Sequence, residues 1–442
     1  MLRECTVTLL LFIYSIFVVF YGLGGNQLTG KEPSFIVDVQ PPSESVVNLD
    51  PEQMVPLMNV TELEVSNPFP TEVVVPVVNI TPVTVGNKKK HIKAEAMYPP
   101  KLVREKGSLV WDYSGCMIPK QLSRMDVWPV NASHVDVTLV TASNYNRIIT
   151  YPITLSRWEG PICFAVHLKE EEVPLFSSYL QTHPELCSKR VTLIVYTSSI
   201  GSFYHENYPI NTLRNLGIHH TRTTHYVYLD IDMWPSQKSY LSLLELAKTE
   251  GDNMTAVIVP AFFHNQWTIT HTDIQEQIES VKNRIPSTIG ELMTCLKKRK
   301  CIAFKKGVFN HYYVRGNWVS SHMRKSEALY LNVTCWPNRF QEPYVMVKRR
   351  DGVTDYYEEF INFGFNKISY IETLRNLGYR FIIMRNAFAF DLPHLPSVYH
   401  LEQKKYVMSA NTRTFVLYNT KVMKNRSPHR LLLCSEVKQI TV

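Results

Sequence analysis

The chain has 442 residues, of which 45% are apolar, with Lys+Arg 47 against Asp+Glu 39 for a net charge of +8. That length and composition exclude a wholly disordered chain, a multispan membrane protein and a small disulfide knot, and allow one large or two medium domains. The charge is uneven: residues 26–87 hold eight acids and one base, residues 1–25 are neutral, and the remainder therefore carries +15.

Thr6 to Gly25 is uncharged and preceded only by Arg3 and Glu4. Twenty such residues can span a bilayer, and a cleaved signal peptide ordinarily has a shorter apolar region, so residues 1–25 are expected to be a cytosolic tail and signal-anchor helix. Six N-x-S/T sequons (Asn59, Asn79, Asn131, Asn253, Asn332 and Asn425) agree with a luminal body. Seven cysteines lie beyond the anchor, which allows three bridges and one leftover thiol in an oxidising compartment. Residues 26–105 are expected to form a stem, since eleven of the 26 prolines fall between residue 26 and about residue 100, with no tryptophan there. Residues 106–442 are expected to be the folded body, and the basic run Lys88–Lys90 is better explained as a solvated junction than as a nucleic-acid site.

From Val135 onward apolar runs alternate with helical segments, the pattern of an α/β domain. Strands are predicted over Val135–Ala142, Ile162–His167, Val191–Tyr196 and Tyr226–Leu229. Helices are predicted over Ile210–Leu216, stopped by Gly217, and over Gln237–Thr249, Thr272–Asn283 and Ser287–Arg299. The hexapeptide TLRNLG occurs at Thr212–Gly217 and again at Thr373–Gly378, and a glycine-stopped helix end accounts for both.

The sharpest chemical feature ends the fourth strand: Asp230-Ile231-Asp232. Residues i and i+2 of an extended segment point the same way, so two carboxylates converge at a strand's carboxyl end, where a hard divalent cation could bridge them to diphosphate oxygens. A bare DxD is more often a solvated turn; the preceding apolar strand and following Pro235-Ser236 favour a metal site. Near the other end, two prolines fix a loop around His394 within Asp391–Ser397, and that histidine could add a nitrogen ligand. Asn366 and Lys367 follow a glycine-flanked turn and offer an amide and a cation.

Five segments in matching order, PINTLRNLG (209–217), YVYLDIDMWPS (226–236), EPYVMVKR (342–349), FGFNK (363–367) and LPHLPS (392–397), resemble glycosyltransferase family 49. That family includes the glucuronyltransferase domain of LARGE-type enzymes. The resemblance implies a GT-A fold with a mixed central sheet, a type II Golgi membrane protein, a UDP-sugar donor, a glycan or glycoprotein acceptor and Mn²⁺, with no nucleic acid and with homo- or hetero-oligomers among transferases as partners. By motif matching it makes Asp230, Asp232 and His394 the metal residues, and Asp230, Arg214, Asn215, Asn366 and Lys367 the donor-binding ones. It implies an inverting displacement that gives a β linkage, with glucuronate the favoured sugar and N-acetylglucosamine the alternative. A base must take the acceptor proton, and Glu342, Asp351, Asp355 and Glu358 are the candidates. Where relatives commonly read YDERF, this chain has Tyr356-Tyr357-Glu358-Glu359-Phe360, and Trp234 replaces a small aliphatic residue; both departures bear on acceptor and donor choice. They also keep a glycan-binding pseudoenzyme as a competing reading.

Overall fold

A computed structural model describes residues 101–116, 118–252, 254–265, 273–303, 310, 313–314, 316–323, 327–362, 364–392, 394, 407–424 and 426–440. The expected anchor, almost all of the expected stem, the sequons Asn59, Asn79, Asn253 and Asn425, and Phe363, Pro393 and Leu395–Ser397 of the matched motifs lie outside them. Among the described residues no helix is long and apolar enough to cross a membrane.

In chain order the first half comprises α1 (Lys101–Glu105), β1 (Ser108–Asp112), β2 (Lys120–Leu122), β3 (Val137–Asn144), α2 (Tyr151–Arg157), β4 (Ile162–Lys169), α3 (Val173–Thr182), β5 (Val191–Ser198), α4 (Ile210–His219), β6 (His225–Tyr228), β7 (Met233–Pro235) and α5 (Ser239–Thr249). It continues with β8 (Thr255–Val259), β9 (Ala261–His264), α6 (Ile274–Val281), α7 (Ile289–Lys297), β10 (Cys301–Ile302), α8 (Gly316–Met323), β11 (Tyr330–Asn332), β12 (Tyr344–Lys348), α9 (Asn366–Leu377), β13 (Arg380–Met384), β14 (Ala389–Asp391), α10 (Val407–Lys424) and α11 (Cys434–Ile440).

Ten strands form one mixed sheet in the order β11-β13-β8-β12-β6-β3-β4-β5-β1-β2, and four form a second in the order β10-β9-β14-β7. Strands β6, β3, β4 and β5 are parallel, while β12 runs antiparallel between β6 and β8. The expected α/β class with a mixed sheet is what the chain adopts. The central strands are buried on both faces, which is why they read as continuous apolar runs. Leu213 and Leu216 of α4 and Leu374 of α9 cover one face; Leu155 of α2, Phe176 of α3 and Leu246 of α5 cover the other.

The two TLRNLG copies end differently. In the second, Gly378 takes φ +94° and caps α9, as expected. In the first the expected stop does not occur: α4 runs through Gly217 to His219. Gly217 instead serves packing, because a Cβ there would lie 2.6 Å from Cγ1 of Val140 on β3. Three disulfides, Cys116–Cys187, Cys295–Cys301 and Cys335–Cys434, with Cys163 free and buried, match the expected count.

Candidate metal and donor site

Strand β6 ends at Tyr228, so Asp230 and Asp232 fall in the connection to β7, at the carboxyl end of the parallel strands. The antiparallel pair β7–β14 sets Asp391 opposite Met233, and the Leu392 amide donates to the Asp232 carbonyl at 2.8 Å. This ladder carries the distal loop to the DxD. His394 Nε2 lies 2.5 Å from Asp232 Oδ2, and ligand atoms of Asp232, Asp391 and His394 all lie within 4.8 Å of one another. Arg147 Nη2 is 2.8 Å from His394 Nδ1; since a guanidinium only donates, Nδ1 accepts and Nε2 carries the proton shared with Asp232, a proton that a metal ion would displace. Asp232 and His394 side chains are 24% and 22% exposed, so the cluster faces an opening.

Two oxygens and one imidazole nitrogen at this spacing suit a divalent cation of the manganese type. Burial raises the Asp232 carboxyl, but His394 and Arg147 outweigh it and hold the group below its ordinary value, ionised as a ligand must be. Asp391 is the residue that motif reading left without a role. Its signal was available: a strand-end carboxylate three residues before the histidine, in the same proline-bounded segment.

Asp230 has other company. Its Oδ2 accepts from Lys367 Nζ at 2.6 Å and from the Tyr344 hydroxyl at 2.8 Å, and its Oδ1 faces Arg214 Nη2 at 3.2 Å. Burial opposes its ionisation; Lys367 and Arg214 reverse that and drive its pKa far down. Arg214 is itself fixed, its guanidinium 4.6 Å from the Tyr228 ring and 4.9 Å from the Tyr356 ring, bonded to Asn211. The turn that aims Lys367 has positive φ at Asn362, Gly364 and Phe365, and Asn366 Oδ1 accepts from the Lys367 amide at 2.7 Å.

Of the four carboxylates considered as bases, the fold brings only Glu342 to this cluster, 3.9 Å from Lys367 Nζ, where burial raises its pKa against the pull of Lys367. Asp351 pairs with Arg349 at 2.7 Å, and Asp355 with His219 at 3.1 Å. Glu358 accepts from Arg124 and from Asn215. Asn215, placed at the donor by motif matching, clasps the Tyr356 backbone through both its amide atoms, at 2.8 and 2.7 Å. The YYEEF departure has a packing role: Tyr357 lies against Phe360 and Tyr418 in a satellite cluster with Phe415.

A strand-end carboxylate pair, a distal histidine and a buried lysine are gathered at one end of a mixed α/β sheet. Residues 177–391 match the family described as glycosyl-transferase for dystroglycan, glycosyltransferase family 49. Human xylosyl- and glucuronyltransferase LARGE1 is 30% identical over 279 residues, 60% of this chain and 32% of that protein. The chicken LARGE2s enzyme is 28% identical over 284 residues, 63% and 34%. The chain thus matches about a third of the length of these relatives. Among solved structures, GalNAc-T7 with UDP, GalNAc and Mn²⁺ aligns at TM-score 0.37 and 9% identity, covering 60% of this chain and 45% of that one. The S. aureus TarS 1–349 structure aligns at 0.36 and 8%, covering 67% of each.

Proposed function

We propose that the chain is an inverting GT-A glycosyltransferase that moves a sugar, glucuronate in preference, from a UDP donor to a glycan acceptor. The observation that carries this is the convergence of Asp232, Asp391 and His394 beside the Asp230–Lys367–Glu342 cluster. Asp232, Asp391 and His394 would hold Mn²⁺. When bound, the cation offsets charge developing on the departing diphosphate. Lys367 and Arg214 keep Asp230 ionised and fixed. Glu342, raised by burial, takes the acceptor hydroxyl proton as the new glycosidic bond forms and the donor's anomeric bond breaks.

Tyr357 filling a packing cluster favours an enzyme over a pseudoenzyme, because that departure is taken up by side-chain packing. The test is UDP release by the full chain across a panel of UDP-sugars with glycan acceptors, with and without Mn²⁺. Turnover is expected only with the metal, and fastest with UDP-glucuronic acid. A preference for UDP-N-acetylglucosamine would replace the sugar, and silence with every donor would defeat the enzyme reading.

We place the body in the Golgi lumen behind a type II anchor. The uncharged Thr6–Gly25 run, the three disulfides and the exposed sequons Asn131 and Asn332 support this. Amino-terminal sequencing of the mature protein checks it, a start near Asn26 being the contrary result.

A further inference from the structure

A cleft of about 900 Å³ opens between the end of α2, the turn at Gln237, residues 282–287 after α6, and helix α7, apart from the Asp232 cluster. Five cations line it, Arg157, Lys282, Arg284, Lys298 and Lys300, against the carboxylates of Glu159 and Glu291. Glu291 is already engaged: its Oε2 accepts from the Ser287 amide at 2.7 Å, the Ser287 hydroxyl at 2.9 Å and the Thr288 amide at 3.2 Å, closing the cap of α7. Lys282 pairs with Glu279 at 2.6 Å. Among the described residues Lys298 and Lys300 form no ion pair.

Two features make this wall a built one. The run Lys297-Lys298-Arg299-Lys300 is stapled by the Cys295–Cys301 disulfide. Its amides at 298, 299 and 300 donate back to Thr294, Leu296 and Cys295 at 3.1, 2.9 and 3.0 Å, with Arg299 held at φ 55°. Four like charges are therefore kept adjacent where a free loop could spread them, and an anion relieves that repulsion. Independently, the Arg157 guanidinium lies 4.9 Å over the Trp234 ring, and among the described residues its Nη1 is buried without a hydrogen-bond partner. Burial lowers the Arg157 pKa, with only Glu291 acting against it. An arginine stacked this way keeps its planar fork for a carboxylate.

We propose that this cleft binds an anionic oligosaccharide through its uronate carboxylates, gripping the glycan away from the reacting end. The cations come from three separate segments, Arg157, Lys282 with Arg284, and Lys298 with Lys300, which suits charges repeated along a chain better than one compact phosphate. The inference rests on the glucuronate reading above, because that reaction's own product carries carboxylates.

The test is equilibrium binding by the full-length chain, without metal or donor, of a hyaluronan tetrasaccharide, with chitotetraose as the neutral arm and mannose 6-phosphate as the phosphate arm. Wild type is expected to bind the hyaluronan tetrasaccharide selectively. K298A/K300A is expected to bind it about tenfold more weakly, the loss of one charge-assisted contact, with a shallower salt dependence and an unchanged melting temperature, since both lysines are exposed. Equal binding by the variant, equal affinity for chitotetraose, or selectivity for mannose 6-phosphate would each overturn the proposal. Because no donor is present, failure of glucuronate transfer with tetrasaccharide binding intact rejects the reaction while upholding the cleft, and the converse rejects the cleft alone.

Discussion

Lys367 stands between two carboxylates, 2.6 Å from Asp230 and 3.9 Å from Glu342, so its charge is committed before any donor arrives. Motif matching offers this lysine as the partner of a donor carboxylate, which would single out UDP-glucuronic acid; the geometry makes it first a support for Asp230. Lys367→Met is therefore expected to depress kcat/KM for UDP-glucuronic acid and UDP-N-acetylglucosamine together, and to lower folding stability by about 1–3 kcal/mol through the carboxylate left with Arg214 and the Tyr344 hydroxyl. Parallel kinetics and urea denaturation check both halves. Asp391→Asn is expected to weaken Mn²⁺ binding by about 10- to 100-fold, the scale of disturbed metal sites, and by more than Asp230→Asn does; calorimetric titration of the metal reads this directly. For Glu342 the sign follows from its role. A base works ionised, so raising its pKa moves the acid limb of the kcat/KM profile upward, above the ordinary glutamate value of about 4.3. Glu342→Gln should abolish that limb and lower kcat by about 100- to 10,000-fold.

At the scale of elements, one hexapeptide gives two outcomes because its surroundings differ. Gly217→Ala is expected to cost about 1–3 kcal/mol by pressing on Val140 across the α4–β3 interface. Gly378→Ala is penalised by its positive φ and by the Ser427 Oγ 2.9 Å from the new Cβ. Asparagine tolerates that backbone region, so Gly378→Asn should recover part of the loss while Gly217→Asn should not; thermal melts of the four variants separate the causes. Neighbours in sequence could tell none of this. The strands Val137–Asn144, Ile162–Lys169 and Val191–Ser198 were legible because burial on both faces writes them as apolar runs. The DxD was legible because it follows such a run. What sequence alone did not yield was the β7–β14 pairing, since the partners lie some 155 residues apart and each has only three residues. Without that pairing Asp391 is one more loop acid, and Asp230, rather than Asp391, takes its place beside Asp232. The bonds of Asn215 to the Tyr356 backbone were hidden for a related reason: a polar triplet inside a helix does not show which distant turn it will serve.

For the whole molecule, the Cys335–Cys434 bridge spans 99 residues and ties the last helix back to the segment before β12. Its replacement by serines should lower stability by about 2–5 kcal/mol, measured by denaturant unfolding, and leave the geometry around Asp232 to the main sheet. Strand β12 has a different consequence, in the order of synthesis. It sits between β6 and β8, yet it emerges from the ribosome some 85 residues after β8 is complete. Until residues 344–348 arrive, β6 and β8 have no strand to join them, and the growing polypeptide holds an early sheet of β1 to β6 with a bare edge. Tyr344 enters on this same closing strand, with Glu342 two residues ahead of it. Translation therefore delivers the inserted strand ahead of Lys367, the last of the side chains around Asp230, so that a chain halted before residue 344 would expose an open flank rather than a half-working catalyst.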